Sequence, residues 1–243
     1  MPGDDRPAFY ALAPGGWRDY WTLLHPPYTV WHLSYVALGA ATAPHLDGGR
    51  LGATVLAFFL AVGVTAHALD ELSGRPLGTR VPSRALIGLA AAGLVGAVSI
   101  GIVGAARVSW WLMVFVAFGA FIVVAYNAEL FGRRFHNDAW FALSWGAFPA
   151  LAGYFAQTAT IRWPAVPVGL ACLLLSGAQR RLSTPARTLR RRVEVLEGRL
   201  VLRDGTQLSV DEDTLLAAPE AALRSLALAM AALAGGLVGA RLM

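Results

Sequence analysis

Lysine is absent from this chain: all 20 of its basic residues are arginine. Cysteine occurs once, as Cys172, which excludes an internal disulfide framework and a cysteine-based metal site. Charge of either sign is scarce, at 14% of 243 residues, whereas 56% are hydrophobic and the mean hydropathy is +0.55. Soluble domains carry about 25% charged residues, so this composition rules out a soluble fold. A nucleic-acid-binding fold goes with it, although a net charge of +5 and a pI near 10.0 would suit one. Between Met1 and Arg18 no short apolar stretch leads to a small-residue cleavage site, so no removable signal peptide is expected.

What the chain does have is long apolar runs. A helix needs about 19 to 20 residues to cross a hydrocarbon core of roughly 30 Å. Seven segments are predicted on that basis, near Tyr28 to Ala43, Leu51 to Leu69, Ala85 to Ala106, Val108 to Tyr126, Trp140 to Thr160, Trp163 to Gln179 and Ala222 to Leu242. The arginines sort by loop. Arg6 and Arg18 precede the first segment, Arg75, Arg80 and Arg84 follow the second, Arg133 and Arg134 the fourth, and eight lie between Arg180 and Arg203. Those fifteen share one side, against Arg50, Arg107, Arg162 and Arg241 on the other. Because cytoplasmic loops retain the positive charge, the N-terminus is expected in the cytoplasm and the C-terminus across the membrane. The expected location is a prokaryotic plasma membrane.

The expected fold class is therefore all-α integral membrane, with about seven transmembrane helices. Its parts are a cytoplasmic N-terminal segment (1–20), a six-helix membrane core (21–179), an arginine-rich cytoplasmic linker (180–220) and a C-terminal transmembrane helix (221–243). Within the linker, the run from Val193 to Leu202 and that from Arg203 to Val210 read as two short strands around the Asp204-Gly205 turn. A small cytoplasmic β-hairpin is predicted there.

Carboxylates are the scarcest functional groups. Between Gly48 and Arg192 only Asp70, Glu71, Glu129 and Asp138 occur. His67, Asp70 and Glu71 share roughly one face at the end of the second segment. They read either as a solvated helix end or as a pocket wall holding a cation, since magnesium prefers carboxylate oxygens. The Gly/Pro-rich loop Gly74 to Ser83 carries Arg75 and Arg80 and suits a phosphate grip. Pro149 predicts a kink in the fifth segment, whose small residues permit close helix packing. Tyr154 and Gln157 fit an interfacial helix end as well as a site, and Ser144 and Trp145 read as packing residues.

The run Tyr126 to Thr158, with its Arg133-Arg134 pair and its Gly153-Tyr154-Phe155-Ala156-Gln157-Thr158 ending, resembles the fourth and fifth helices of UbiA-type intramembrane prenyltransferases, particularly the menaquinone branch. Trp21 to Pro27 resembles that family's approach to its first helix, and Thr79 to Ser83 its Arg-Pro-Ile-Pro-Ser-Gly loop. The resemblance covers about Trp17 to Gln179. It implies a helical bundle around a lipid-accessible cavity, where two aspartate-rich motifs hold magnesium and the diphosphate of an isoprenyl donor. This chain departs from that pattern. The first motif, Asn-Asp-x-x-Asp-x-x-x-Asp, aligns with Ala66, His67, Asp70 and Gly74. The region of the second, Ser176 to Thr184, has no carboxylate.

On the resemblance, Asp70, Glu71 and Tyr126 are the expected catalytic residues, with Asp70 and Glu71 as ligands of a single Mg2+. Substrate contacts are expected from His67, Arg80, Arg133, Arg180, Arg181 and Gln157. One cytoplasm-facing cavity is expected to gather His67, Asp70, Arg80, Tyr126 and Arg133. The ligand is expected to be a membrane lipid or isoprenyl diphosphate, handled either by a prenyltransferase or by a catalytically silent relative that binds lipid or quinone or serves a membrane complex. A seven-helix transporter or receptor ranks behind both, because the polar residues gather at one face rather than near the midplane.

Overall fold

The computed structural model describes residues 6–243 and is mostly helical. A short helix α1 (Trp17–Leu23) leads into α2 (Pro26–Ala41), α3 (Gly48–Leu72), α4 (Ser83–Arg107), α5 (Leu112–Asn127), α6 (138–158), α7 (Ala165–Arg192) and α8 (Glu212–Leu242). Each of the seven predicted apolar segments falls in one of α2 to α8. Helices α3, α4 and α8 are long and apolar enough to cross a membrane, and α5 is a shorter apolar helix.

Local chemistry sets the helix starts. Pro26 and Pro27 open α2, where a missing N–H is harmless. Asp47, Asn137 and Asp211 cap α3, α6 and α8, their side chains accepting from Arg50 N, Trp140 N and Thr214 N at 2.9, 3.0 and 2.9 Å. The linker is shorter than its sequence suggests. Helix α7 runs on past Gln179 to Arg192, through Pro185, and α8 already begins at Glu212. Between them β1 (Gly198–Val201) pairs antiparallel with β2 (Gln207–Val210), Gly198 opposite Val210 and Val201 opposite Gln207. Gly205 supplies the positive φ of 86° that its turn requires.

Helix α2 is the axis of the bundle, packed chiefly against α6 and α8. Trp31, Tyr35 and Leu38 of α2 meet Ala150 of α6, Cys172 of α7, and Leu223, Ala227, Met230 and Ala234 of α8. The α2–α6 approach depends on Gly39 and Gly153: a Cβ on Gly39 would collide with the Ala150 carbonyl, and one on Gly153 with that of Val36. The glycines thus let two backbones touch. Beneath α7 and α8, Arg190 grips both Glu220 oxygens, and the two side chains are 7% and 9% exposed. A charge so buried needs such a partner.

The outer surface has the reverse character. Only 17% of the most apolar window of α4 is buried, and Ile87, Val95, Ile102 and Val103 point outward. Trp17, Tyr20 and Trp21 are exposed at one end of the bundle and Trp110, Trp111 and Trp163 at the other. Apolar flanks between two aromatic rims are the surface that a bilayer selects.

Two helices contain π-helical stretches, Phe59–Ala66 in α3 and Leu143–Ala147 in α6. The second abuts Pro149, which has no N–H to offer the carbonyl four residues back. That carbonyl, Trp145 O, accepts instead from His32 Nδ1 of α2 at 2.8 Å. Where the sequence predicts a kink at Pro149, the helix carries a π-helical stretch immediately before it.

Candidate functional site

The polar residues of the arginine-rich end are arranged by α3. Its π-helical stretch ends at His67, whose Nδ1–H donates to Gly63 O at 3.1 Å. The His67 ring stacks on His25, with centroids 4.2 Å apart and planes at 17°. His25 lies where the chain turns from α1 into α2. The residue before a proline is disfavoured in the right-handed helical region, and His25 takes the left-handed one at φ 46°. Its Nδ1 lies 2.6 Å from the Tyr10 hydroxyl, while its Nε2 is buried without a hydrogen-bond partner among the described residues. Burial first, and then the adjoining His67, holds His25 well below the ordinary imidazole range and therefore neutral.

Arginines reach this cluster from α7. Residues 180, 187 and 191 recur at helical spacing along one face. Arg187 acts electrostatically on Tyr10, His25, Tyr28, Asp70 and Tyr126, and Arg191 on Tyr10, His25, Tyr28 and Asp70. Among the described residues Arg187 forms no ion pair, and its guanidinium makes one long hydrogen bond, 3.4 Å to Thr184 Oγ1. Arg191 donates to Pro7 O at 3.1 Å and so pins the segment that carries Tyr10 across this end of the bundle. From the last turn of α5, Tyr126 stacks on His136 at 4.4 Å and packs on Trp145 at 4.6 Å. Its hydroxyl, too, is buried without a partner among the described residues.

The expected site residues divide. His67, Asp70 and Tyr126 belong to this cluster, and Asp70 is half-buried. Arg180 stands at its edge, paired with Asp138 at 3.0 Å and lying over the Phe141 ring. The others do not join it. Arg80 and Arg181 are exposed, and Arg133 pairs on the surface with Glu129 at 3.1 Å. Gln157 is at the opposite end of α6, where it accepts from Asp47 N at 2.8 Å.

Glu71, expected as a catalytic residue and metal ligand, is fully buried and committed to the loop that follows α3. Its Oε2 accepts from Leu77 N at 3.0 Å, and its Oε1 from Thr79 N and Thr79 Oγ1, both at 2.8 Å. The loop is likewise bound to itself through Arg75, which donates to Thr79 O, Val81 O and Ser83 Oγ. It is not an open phosphate grip. With Glu71 occupied, Asp70 is the one carboxylate left for the expected Mg2+, and no group of three His, Cys, Asp or Glu side chains suits a metal among the described residues. Asp70 alone is the minimum for a magnesium ion, which takes one or two carboxylates in addition to substrate phosphates and keeps several waters.

Below the cluster lies a cavity of about 760 Å3 between α3, α4, α5 and α6. Ile122, Val123 and Trp145 line its inner end, and Trp145 is the same ring that backs Tyr126. The polar cluster and the apolar cavity therefore share a wall one aromatic layer thick. The volume is that of a ligand pocket for a molecule of lipid or drug size.

Sequence reasoning missed Tyr10, His25, Tyr28, Arg187 and Arg191. For the arginines a signal existed, the recurrence of 180, 187 and 191 on one helix face. For Tyr10 and His25 none did, because their partners are remote in sequence. No family model, curated protein or solved structure matches this chain.

Proposed function

We propose that the protein is a UbiA-like membrane protein of seven spans, with its arginine-rich end in the cytoplasm, that binds an isoprenoid diphosphate. The observation that carries this reading is Arg187. Among the described residues it forms no ion pair, its charge acts on Tyr10, His25, Tyr28, Asp70 and Tyr126, and this cluster holds two buried polar atoms without a described partner, His25 Nε2 and Tyr126 Oη. Arginines and neutral polar groups that outnumber the one nearby carboxylate, Asp70, are the chemistry of a phosphate site. The apolar chain would pass the Tyr126–Trp145 pair into the cavity.

Of the two activities compatible with that ligand, the commitment of Glu71 to the loop favours a binder over a magnesium-dependent transferase. Little free space adjoins Arg187, about 10 Å3, so the head group enters as the segment around Pro7 and Tyr10 yields. Radiolabelled farnesyl and geranylgeranyl diphosphate, offered to the purified protein with and without magnesium, test the reading. Saturable binding that survives chelation and falls in Arg187→Gln supports it. Release of diphosphate only with magnesium would mark a transferase, and no binding of either compound would remove the isoprenoid reading.

A further inference from the structure

The cavity has a second, charged end that the isoprenoid reading does not use. Along α3 its lining runs from Gly49 to Val62, which at about 1.5 Å per residue is a depth of roughly 19 Å. The walls are apolar, with Ala57, Ala97, Phe115 and Phe148 among them. Ionisable side chains line it only at the α3 N-terminal end, the end away from Asp70: Asp47, Arg50 and Arg107.

These three are not equivalent. Arg50 is anchored, donating to Gln157 O at 3.1 Å and approaching Asp47 at 3.8 Å. The Arg50 backbone N–H, more than its guanidinium, holds the Asp47 carboxyl below the usual carboxylate range, so Asp47 is charged. Arg107, in the last turn of α4, is exposed and has no hydrogen bond or ion pair among the described residues. Two guanidiniums and one carboxylate leave this rim with one net positive charge. At the inner end Ser144 is 4% exposed, and its Oγ has no hydrogen-bond partner although it borders the cavity.

We propose that this cavity holds one anionic phospholipid drawn from the leaflet opposite the arginine-rich end, its phosphate at Arg107 and Arg50 and one acyl chain reaching towards Ser144 and Trp145. The charge asymmetry sets the orientation: a zwitterionic lipid would bring a cation to this positive rim along with its phosphate, and an anion without a chain would leave the apolar depth empty. The inference goes beyond the isoprenoid reading, because it concerns a different ligand entering from the other end, and the two chains would compete for the inner part of the cavity.

The test uses the full-length purified protein, delipidated and then offered dioleoyl phosphatidylglycerol or dioleoyl phosphatidylcholine. Native mass spectrometry counts retained lipid, and phosphatidylglycerol with brominated chains reports chain position by quenching. Trp145 is 5% exposed, so the fluorescence lost in Trp145→Phe isolates a reporter that lipid outside the bundle does not reach. One phosphatidylglycerol should be retained in preference to phosphatidylcholine, and its brominated form should quench the Trp145 component. Arg107→Gln should reduce that preference by about 1.4- to five-fold, the range for an exposed charge contact. Ala57→Phe with Ala97→Phe should abolish retention and quenching together. Should that pair fail to fold, Arg107→Gln and the quenching decide alone. Equal retention of the two lipids, or an unquenched Trp145, would overturn the proposal, as would displacement of the lipid by millimolar inorganic phosphate. Arg187→Gln should leave phosphatidylglycerol retention unchanged, which separates failure here from failure of the isoprenoid reading.

Discussion

Replacing Glu71 tests whether this buried carboxylate organises a loop or serves a metal. It accepts three hydrogen bonds, two of them from the backbone N–H groups of Leu77 and Thr79. Glu71→Ala leaves both N–H groups buried and unpaired at about 1 to 3 kcal/mol each, a loss of roughly 2 to 6 kcal/mol. In Glu71→Gln the amide keeps one accepting oxygen and presents an NH2 to the other donor, so one charge-assisted contact of about 1.5 to 3 kcal/mol is lost. If the loop opens locally, protection of the Leu77 and Thr79 amides from hydrogen exchange should fall by about 10- to 100-fold in Glu71→Gln. Trypsin should cut faster at Arg80, which lies within the loop, whereas Arg75 precedes Pro76 and stays uncut. Both effects should be present without magnesium. Unchanged protection in Glu71→Gln would refute the loop role, and protection that needs magnesium in the wild type and loses that need in the variant would restore Glu71 as a metal ligand.

Two further outcomes follow from packing and from charge. Gly153→Ala sets a methyl group against the Val36 carbonyl, a backbone atom that has no room to yield, so α2 and α6 must separate. The loss should reach or exceed the usual overpacking range of about 1 to 3 kcal/mol. A lower Tm in detergent should reveal it, with Gly235→Ala, which meets open space, as the unchanged control. His25 is neutral because its folded-state pKa is depressed below its unfolded value near 6.5. The unfolded chain therefore binds the proton first as pH falls, and the stability present above 6.5 is lost below it, at up to about 1.4 kcal/mol per pH unit. His25→Asn, which tolerates the left-handed backbone, should flatten that acid slope in thermal melts between pH 7 and pH 5. An identical slope in the variant would contradict the assignment.

Much of the scaffold was legible in the linear chain, because it depends on neighbours along it. Apolar runs of membrane-spanning length became helices, Asp204-Gly205 became the turn between β1 and β2, and Pro149 disturbed α6. Even the misplacement of Gln157 was avoidable: α6 begins near Asp138, at the Arg180 end, so a residue one helix length later must lie at the other end of the bundle.

Which polar groups meet is a different matter. Asp70 and Glu71 are adjacent acids on one helix, about 100° apart around it. Nothing in their order says that Glu71 faces the Gly74–Ser83 loop while Asp70 is left free of it, within the field of Arg187. That choice follows from the rotation of α3, which its π-helical stretch shifts before the helix reaches His67. The arginines of α7 satisfied a loop-charge rule that carries no information about direction, and only the extension of that helix to Arg192 turns Arg187 and Arg191 towards His25. Composition and periodicity settle where a chain becomes helix, since both act within a few residues. The meeting of His25 with His67 and Tyr10 needs three segments in register, and helix rotation and packing alone decide it.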